Sequence, residues 1–224
     1  MSDRDAPRRR NHPWFARIYD PVLARPAEKW EGKYRDELCA EAEGVVLEVG
    51  AGTGMNFSHY ATATRVVAIE PEPNMRGRAA RRVEAASVPI RLLGASAERL
   101  PFPDETFDTV VCSLVLCTVG DQSAGIAECR RVLKSNGSMR FFEHVRSMGL
   151  REARWQDRLE RPWGFFGGGC HPNRDTLGAF VEHGFTVRFR RFAPPIPGGW
   201  FLPHVIGVAR AGSQAERGGG AASP

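Results

Sequence analysis

Val45-Val46-Leu47-Glu48-Val49-Gly50-Ala51-Gly52-Thr53-Gly54-Met55 is the stretch that decides how this chain folds. A short β-branched run that ends on glycines reads as a buried parallel strand stopping at a tight turn into a helix. Glycines at 50, 52 and 54 let the backbone turn sharply and come close to a ligand. A dinucleotide site follows G-x-G-x-x-G, with the last glycine packing helix on strand. This chain follows E-x-G-x-G-x-G and has Met55 where the third glycine of the dinucleotide form belongs.

Outward from the turn, similar runs recur over residues 65–69, 89–93, 109–113 and 138–142, and each reads as a strand. Helical spacing covers 74–86 and 121–133. The second of these is expected to stop before Ser135-Asn136-Gly137, a good helix-ending turn. Strands alternating with helices imply right-handed crossovers and a parallel sheet. A helix over 174–182 follows, and then strands over 185–192 and 203–210. Pro194-Pro195-Ile196-Pro197-Gly198-Gly199 separates them without a crossover helix, so they should be antiparallel neighbours. The expected fold is α/β: a seven-stranded, doubly wound, mostly parallel sheet with an antiparallel last strand.

Residues 1–42 form a helical preamble, with aromatic and apolar residues at helical spacing from Asn11 to Asp20 and an amphipathic stretch over 27–42. It is placed either to pack on the sheet or to cover a ligand as a lid. Residues 43–210 form the main domain. Residues 211–224 are Gly, Ala and Ser with one charge pair, and are expected to be a disordered tail.

A chain of 224 residues with 42% hydrophobic and 25% charged residues is long enough for one domain with a sizeable core and has ordinary globular composition. Its net charge of +5 is partly local, since Arg4, Arg8, Arg9 and Arg10 crowd the start. Such a run is chiefly a solvated tail, with weak attraction to an anionic membrane surface as the lesser reading. No basic stripe studded with aromatics points to nucleic acid. The longest apolar run, 109–119, falls short of the roughly 20 residues of a membrane span, and the start lacks the apolar core of a signal peptide. The expected address is therefore the cytoplasm. Five cysteines without CxxC spacing argue against a disulfide framework and a structural zinc site, so no metal is expected. Nothing in the pattern fixes an oligomeric state.

The chemistry starts at Glu48. A carboxylate two places before the first glycine would repel a pyrophosphate and suits a ligand carrying a cationic ammonium and sulfonium. Glu70 ends the second strand, where a carboxylate can accept both ribose hydroxyls in charge-assisted hydrogen bonds. Ser96 and Ala97 follow the third strand at the edge where open α/β sheets bind ligands, and they can meet an adenine.

These landmarks resemble the class I methyltransferases. The stretches from Phe107 to Val119, Arg130-Arg131-Val132-Leu133-Lys134, Phe142-Glu143-His144-Val145, Trp155-Gln156, Gly169-Cys170-His171 and Pro203-His204-Val205-Ile206-Gly207 resemble the mammalian microsomal alkyl-thiol S-methyltransferases in particular. The likeness spans about residues 43–210. Those relatives carry an apolar membrane anchor at the start. This chain has charged residues and Tyr19-Asp20 there, closer to soluble quinone-methylating enzymes. The resemblance implies S-adenosylmethionine as cofactor. It makes Glu48, Gly50, Gly52 and Gly54 the methionine-side cradle, gives the ribose to Glu70 and puts Ser96 and Ala97 near adenine. Ser113 and Leu114 become the floor beside the sulfonium, and Tyr19 closes over the cofactor.

The expected acceptor is a small lipophilic molecule, a thiol sulfur preferred. Alternatives are carbon, oxygen or nitrogen acceptors such as a quinone-like ring or a phospholipid amine. Two other classes stay open: a nicotinamide-dependent oxidoreductase, and a cofactor-binding protein without catalysis. His144, just past the fifth strand, is the first candidate for a catalytic base or substrate contact, against a plain hydrogen-bonding role. His171 and His204 are weaker candidates. Glu143 is placed to orient His144, although adjacent strand residues face opposite sides. Cys112 and Cys117 lie in an apolar run that favours core packing. The Trp-, Phe- and Gly-rich region 155–171 reads as an insertion walling the acceptor pocket.

Overall fold

The computed structural model describes residues 25–212. The expectations for the first part of the preamble, including Tyr19 as a lid residue, and for the tail beyond Gly212 lie outside that range.

Seven strands form one sheet in the order β3-β2-β1-β4-β5-β7-β6. The strands are β1 (Gly44–Val49), β2 (Ala63–Ile69), β3 (Ile90–Leu93), β4 (Phe107–Ser113), β5 (Leu133–His144), β6 (Phe185–Phe192) and β7 (His204–Ala211). β1 pairs in parallel with β2 and β4, β2 with β3, and β4 with β5. β7 runs antiparallel between β5 and β6. The expected seven-stranded, doubly wound sheet with a reversed last strand is the one observed.

Because strand side chains alternate between faces, each strand feeds two cores. Leu47, Val49, Val110, Cys112, Met139 and Phe141 pack on one face. There they meet α3 (Gln122–Val132) through Ile126 and Cys129, and α5 (Thr176–Glu182) through Phe180. Val46, Val66, Ala68, Val111, Phe142 and Ile206 pack on the other face. They meet α1 (Arg25–Ala40) through Tyr34, Leu38 and Cys39, and α2 (Pro73–Val83) through Ala79. α1 is thus part of the domain's second core rather than a detached cover.

The helix starts follow local chemistry. Glu72 caps α2 by accepting the Met75 N–H, with Pro73 at the first helical position. Asp121 and Asp175 cap α3 and α5 by accepting from Ala124 and Gly178.

One expectation is corrected. Residues 133–137 do not form a helix-ending turn. β5 begins at Leu133, which pairs with Phe107, and the register breaks before resuming at Ser138 opposite Thr109. Lys134 in this bulged stretch pairs with Asp108 at 2.6 Å, and Gly137 packs against the Asp108 carbonyl, where a Cβ would sit 2.8 Å away. The strand partner therefore prevails over the turn preference of Asn-Gly. Most of residues 155–171, read as an insertion, belong to α4 (Leu150–Phe166), which contains Pro162.

Candidate functional site

The C-terminal ends of β1, β2, β4 and β5 meet at one edge, and the loops there carry most of the residues singled out above. After β1, Gly50, Gly52 and Gly54 all have left-handed backbones, with φ of 69°, 56° and 81°. Their surroundings differ. A Cβ on Gly50 would overlap the Val115 side chain, and one on Gly54 would come 2.8 Å from the Phe57 ring and 3.2 Å from the Ala79 Cα. Among the described residues, a Cβ on Gly52 would meet nothing within 4 Å. Two glycines therefore exist for packing, and the third borders open space.

Glu70, just after β2, holds this turn. Its carboxylate accepts the Gly52 N–H at 2.9 Å and the Glu72 N–H at 2.8 Å. The Arg76 guanidinium donates to the Glu70 carbonyl at 2.8 Å. Burial raises the Glu70 pKa to about 7, against the two N–H donors that favour its charge.

Glu48 is 1% exposed, with both carboxylate oxygens engaged inside the protein. Asn56 Nδ2 donates to one at 3.0 Å and the Tyr60 hydroxyl to the other at 2.9 Å. Arg35 of α1 donates to Asn56 Oδ1 at 2.7 Å and to Glu31 at 2.6 Å, and reaches Ser113 Oγ at 3.5 Å. Burial lifts the Glu48 pKa to about 7. The chain Glu31–Arg35–Asn56–Glu48–Tyr60 ties α1 to the underside of the glycine turn. Sequence reasoning missed Arg35, Asn56 and Tyr60, and their separation along the chain left no local motif to find.

Ser96 and Ala97 sit after β3. Ser96 Oγ donates to the Glu98 carboxylate, and Ala97 is buried. Ser113 ends β4, and Leu114 follows with φ of 53°, a left-handed conformation in a residue with a side chain. Such a backbone costs about 1–2 kcal/mol and persists only where the surroundings over-determine it. Here they do. The Leu114 N–H donates to the Phe142 carbonyl at 2.7 Å, and the buried Glu143 carboxylate accepts the N–H groups of Val115, Leu116 and Cys117 at 3.0, 3.0 and 3.3 Å. Glu143 therefore pins the loop after β4 and does not orient His144. Burial raises its pKa to about 7 in spite of those donors.

His144 is half-buried at the end of β5. Its Nδ1 lies 3.7 Å from Cys117 Sγ and 3.2 Å from Cys170 Sγ. Cys112 and Cys117 are both buried, as their apolar run suggested, and Cys117 in addition adjoins His144. The closeness of the Cys117 and Cys170 sulfurs pushes the Cys170 thiol well below its ordinary range, helped by His144, and the Cys117 thiol up. All five cysteines are free and buried.

The other histidines are held locally. His171 Nδ1 pairs with Glu160 at 2.6 Å. His204 Nδ1 donates to the Leu202 carbonyl at 2.7 Å, which leaves Nε2 as a buried lone pair with no hydrogen-bond partner among the described residues. Burial drives its pKa down to about 2. Its ring stacks on Phe142 and Phe192 and meets Trp30 and His144 edge-on, the last at 4.4 Å between centroids.

With this geometry in view, the comparisons with known proteins become informative. Residues 47–141 match a methyltransferase domain family. The chain is 32% identical over 212 residues to thiol S-methyltransferase TMT1B of Rattus norvegicus, covering 88% of this chain and 85% of that protein. Human thiol S-methyltransferase TMT1A is 32% identical over 200 residues, covering 87% and 82%. A crystal structure of a putative methyltransferase from Bacillus halodurans matches with a TM-score of 0.69 at 16% identity, over 81% of this chain and 98% of that one, which bears on the fold alone.

The chain belongs to the S-adenosylmethionine-dependent methyltransferases, within the family that holds the thiol S-methyltransferases.

The glycine turn fits this family's cofactor on the structure's own terms. Gly52 borders open space, Glu70 offers a carboxylate at the end of β2, and Met55 stands where the dinucleotide form of the turn has its last glycine. Among the described residues, no helix is long and apolar enough to cross a membrane.

Proposed function

We propose that this methyltransferase uses S-adenosylmethionine to methylate a small lipophilic acceptor, with a thiol sulfur preferred. The cofactor, when bound, supplies a methyl carbon already activated by a sulfonium. Gly50, Gly52 and Gly54 form the backbone cradle, with Glu48 lending its charge through Asn56 and Tyr60 beneath it. Glu70 accepts the ribose hydroxyls on the lone pairs its two N–H donors leave over. Ser96 and Ala97 bound the adenine, and Ser113 with Leu114 form the floor at the reacting end.

Methyl transfer of this kind is an in-line displacement, so the protein's chief contribution is alignment. The network through Arg35 and the Glu143-pinned loop supply it by fixing the cradle and the floor to the same two layers of the fold. A thiol with pKa near 8.5 ionises appreciably at neutral pH and demands less of a base than an alcohol does.

One observation carries the preference for thiols. The likeness to the thiol S-methyltransferases extends over 88% of the chain, well past the domain match that ends at residue 141. It thus takes in the chain after β5, to which we assign the acceptor side of the site. Transfer of a labelled methyl group to a panel of alkyl thiols, phenols, quinols and amines tests it. The expected result is the highest kcat/KM on an alkyl thiol, and an equal or higher value on any other class overturns the preference.

A further inference from the structure

Just past the ends of β4 and β5 lie three side chains that the cofactor cradle does not use. Cys117 Sγ, His144 Nδ1 and Cys170 Sγ lie within 4.8 Å of one another, and among the described residues no other trio of His, Cys, Asp or Glu brings its atoms so close. We propose that they form a Cys2His site for a divalent cation of the zinc class, whose fourth position takes the acceptor sulfur as a thiolate. The second half of this assignment rests on the thiol reading above.

The geometry suits the ion. Zinc holds thiolates at about 2.3 Å and imidazole nitrogens at about 2.0–2.1 Å, and in a tetrahedral arrangement this puts sulfur and nitrogen about 3.6 Å apart. The two sulfur–nitrogen separations here are 3.7 and 3.2 Å. Softness agrees as well, since two thiolates and an imidazole select zinc over magnesium or calcium.

Each ligand is held in place before any metal arrives. Glu143 fixes the Cys117 backbone. The His171 N–H donates to the Cys117 carbonyl at 2.7 Å, joining the loop of Cys170 to the loop of Cys117. Gly168 and Gly169, with φ of 65° and 93°, turn the chain so that Cys170 comes back toward His144. Both sulfurs are buried, whereas His144 is half-buried. Three protein ligands with an open fourth place is the pattern of catalytic rather than structural zinc. The sequence spacing gave no hint of this, because the three ligands come from three separate segments.

The chemistry balances. Both cysteines and the acceptor thiol release their protons to solvent on binding the cation, which deprotonates coordinated thiols outright. The acceptor's sulfur lone pair then forms the new carbon–sulfur bond while the donor's sulfonium–carbon bond breaks. The neutral thioether product carries no charge for the metal and leaves.

Metal analysis of the full-length protein purified with zinc present, followed by replacement with Co(II), tests the site directly. The expected result is one ion per chain and the strong visible bands of tetrahedral Co(II) with thiolate charge transfer in the near ultraviolet. Cys117→Ser, Cys170→Ser and His144→Gln should each lose the ion, while Cys129→Ala, on the core-facing side of α3, keeps it. Absence of bound metal, a weak octahedral spectrum, or an ion that survives both serine variants overturns the site. So does a denatured thiol count of three instead of five, which would mean that Cys117 and Cys170 form a disulfide. The Co(II) spectrum needs no variant, so misfolding of a serine variant leaves the test intact.

For the fourth position, an alkanethiol added to the Co(II) protein should shift the charge-transfer band, and the matching alcohol should not. A metal that binds while the thiol leaves the spectrum unmoved overturns that assignment, as does undiminished thiol methylation by metal-free protein. Neither outcome touches the acceptor preference, which the acceptor panel decides separately.

Discussion

Glu70→Gln changes one oxygen to an amide and removes a charge at the point where the glycine turn, β2 and the proposed ribose site meet. In the wild type this carboxylate accepts from the Gly52 and Glu72 N–H groups at 2.9 and 2.8 Å. Gln keeps one acceptor oxygen, so one of those donors faces an NH2 group in a site that is only 7% exposed. Hydrogen bonds to charged groups are worth about 1.5–3 kcal/mol each. Loss of one such bond to a ribose hydroxyl weakens cofactor binding roughly 10- to 150-fold, at about 1.4 kcal/mol per tenfold. The pKa raised to about 7 adds a second signature. The carboxylate must be ionised to accept both hydroxyls, so wild-type affinity should rise as pH climbs through about 7 and level off above it. The variant should show no such step from this group. Calorimetric titration with S-adenosylhomocysteine at pH 6, 7 and 8 measures both effects. Unchanged affinity, or a pH step of undiminished size in the variant, refutes the placement of Glu70 on the ribose; Glu48 and Glu143, also raised to about 7, account for any smaller residual step.

Gly52→Ala meets no atom among the described residues but must hold φ of 56°; it should cost about 1–2 kcal/mol of stability and a larger share of cofactor affinity, read by denaturation and titration side by side. Gly50→Ala, which would overlap Val115, should unfold the turn and fail to yield a stable protein, seen as a Tm drop far larger than that of Gly52→Ala. Tyr60→Phe leaves one oxygen of the buried Glu48 without its donor and should destabilise by about 1.5–3 kcal/mol, measured by urea unfolding at pH 8. Glu48 itself has a folded pKa of about 7 against an ordinary 4.5. The folded state thus binds more protons between those values, and this group's contribution to stability is full below about 4.5 and lost as pH rises through about 7. Unfolding free energies from pH 5 to 8 should fall more steeply in wild type than in Glu48→Gln.

The sheet was legible because its strands are dominated by core-facing apolar residues, and the glycine turn because its spacing separates two ligand classes. α4 was not legible. Its buried positions include Ala153 and Gln156, at helical spacing but small or polar, while Trp155, Leu159 and Phe165 face solvent. A pattern that looks for an apolar stripe sees the wrong face. Gln156 is buried for a polar reason: its side chain accepts from Ser147 and donates to the carbonyls of Val145, Pro172 and Phe201. It thereby gathers four segments around the end of β5. The start of β5 was misread for a related reason, since Asn136-Gly137 carries a local turn preference that the pairing with β4 overrides.

The candidate site divides along the same line. Glycines and carboxylates next to a strand end are local features and could be named from the sequence. The Glu31–Arg35–Asn56–Glu48–Tyr60 chain and the Cys117–His144–Cys170 trio are assembled by topology, so no spacing rule reaches them. This matters for how His144 is understood. As a lone histidine past a strand it invites the role of general base. Between two sulfurs, with Nδ1 turned to both, it has no ring nitrogen on that side free to take a proton from an acceptor. A base should lose more rate on weakly acidic acceptors than on thiols when His144 is replaced by Gln, whereas a metal ligand should lose the thiol reaction along with the bound ion. One variant, assayed on both acceptor classes and for metal, separates the two.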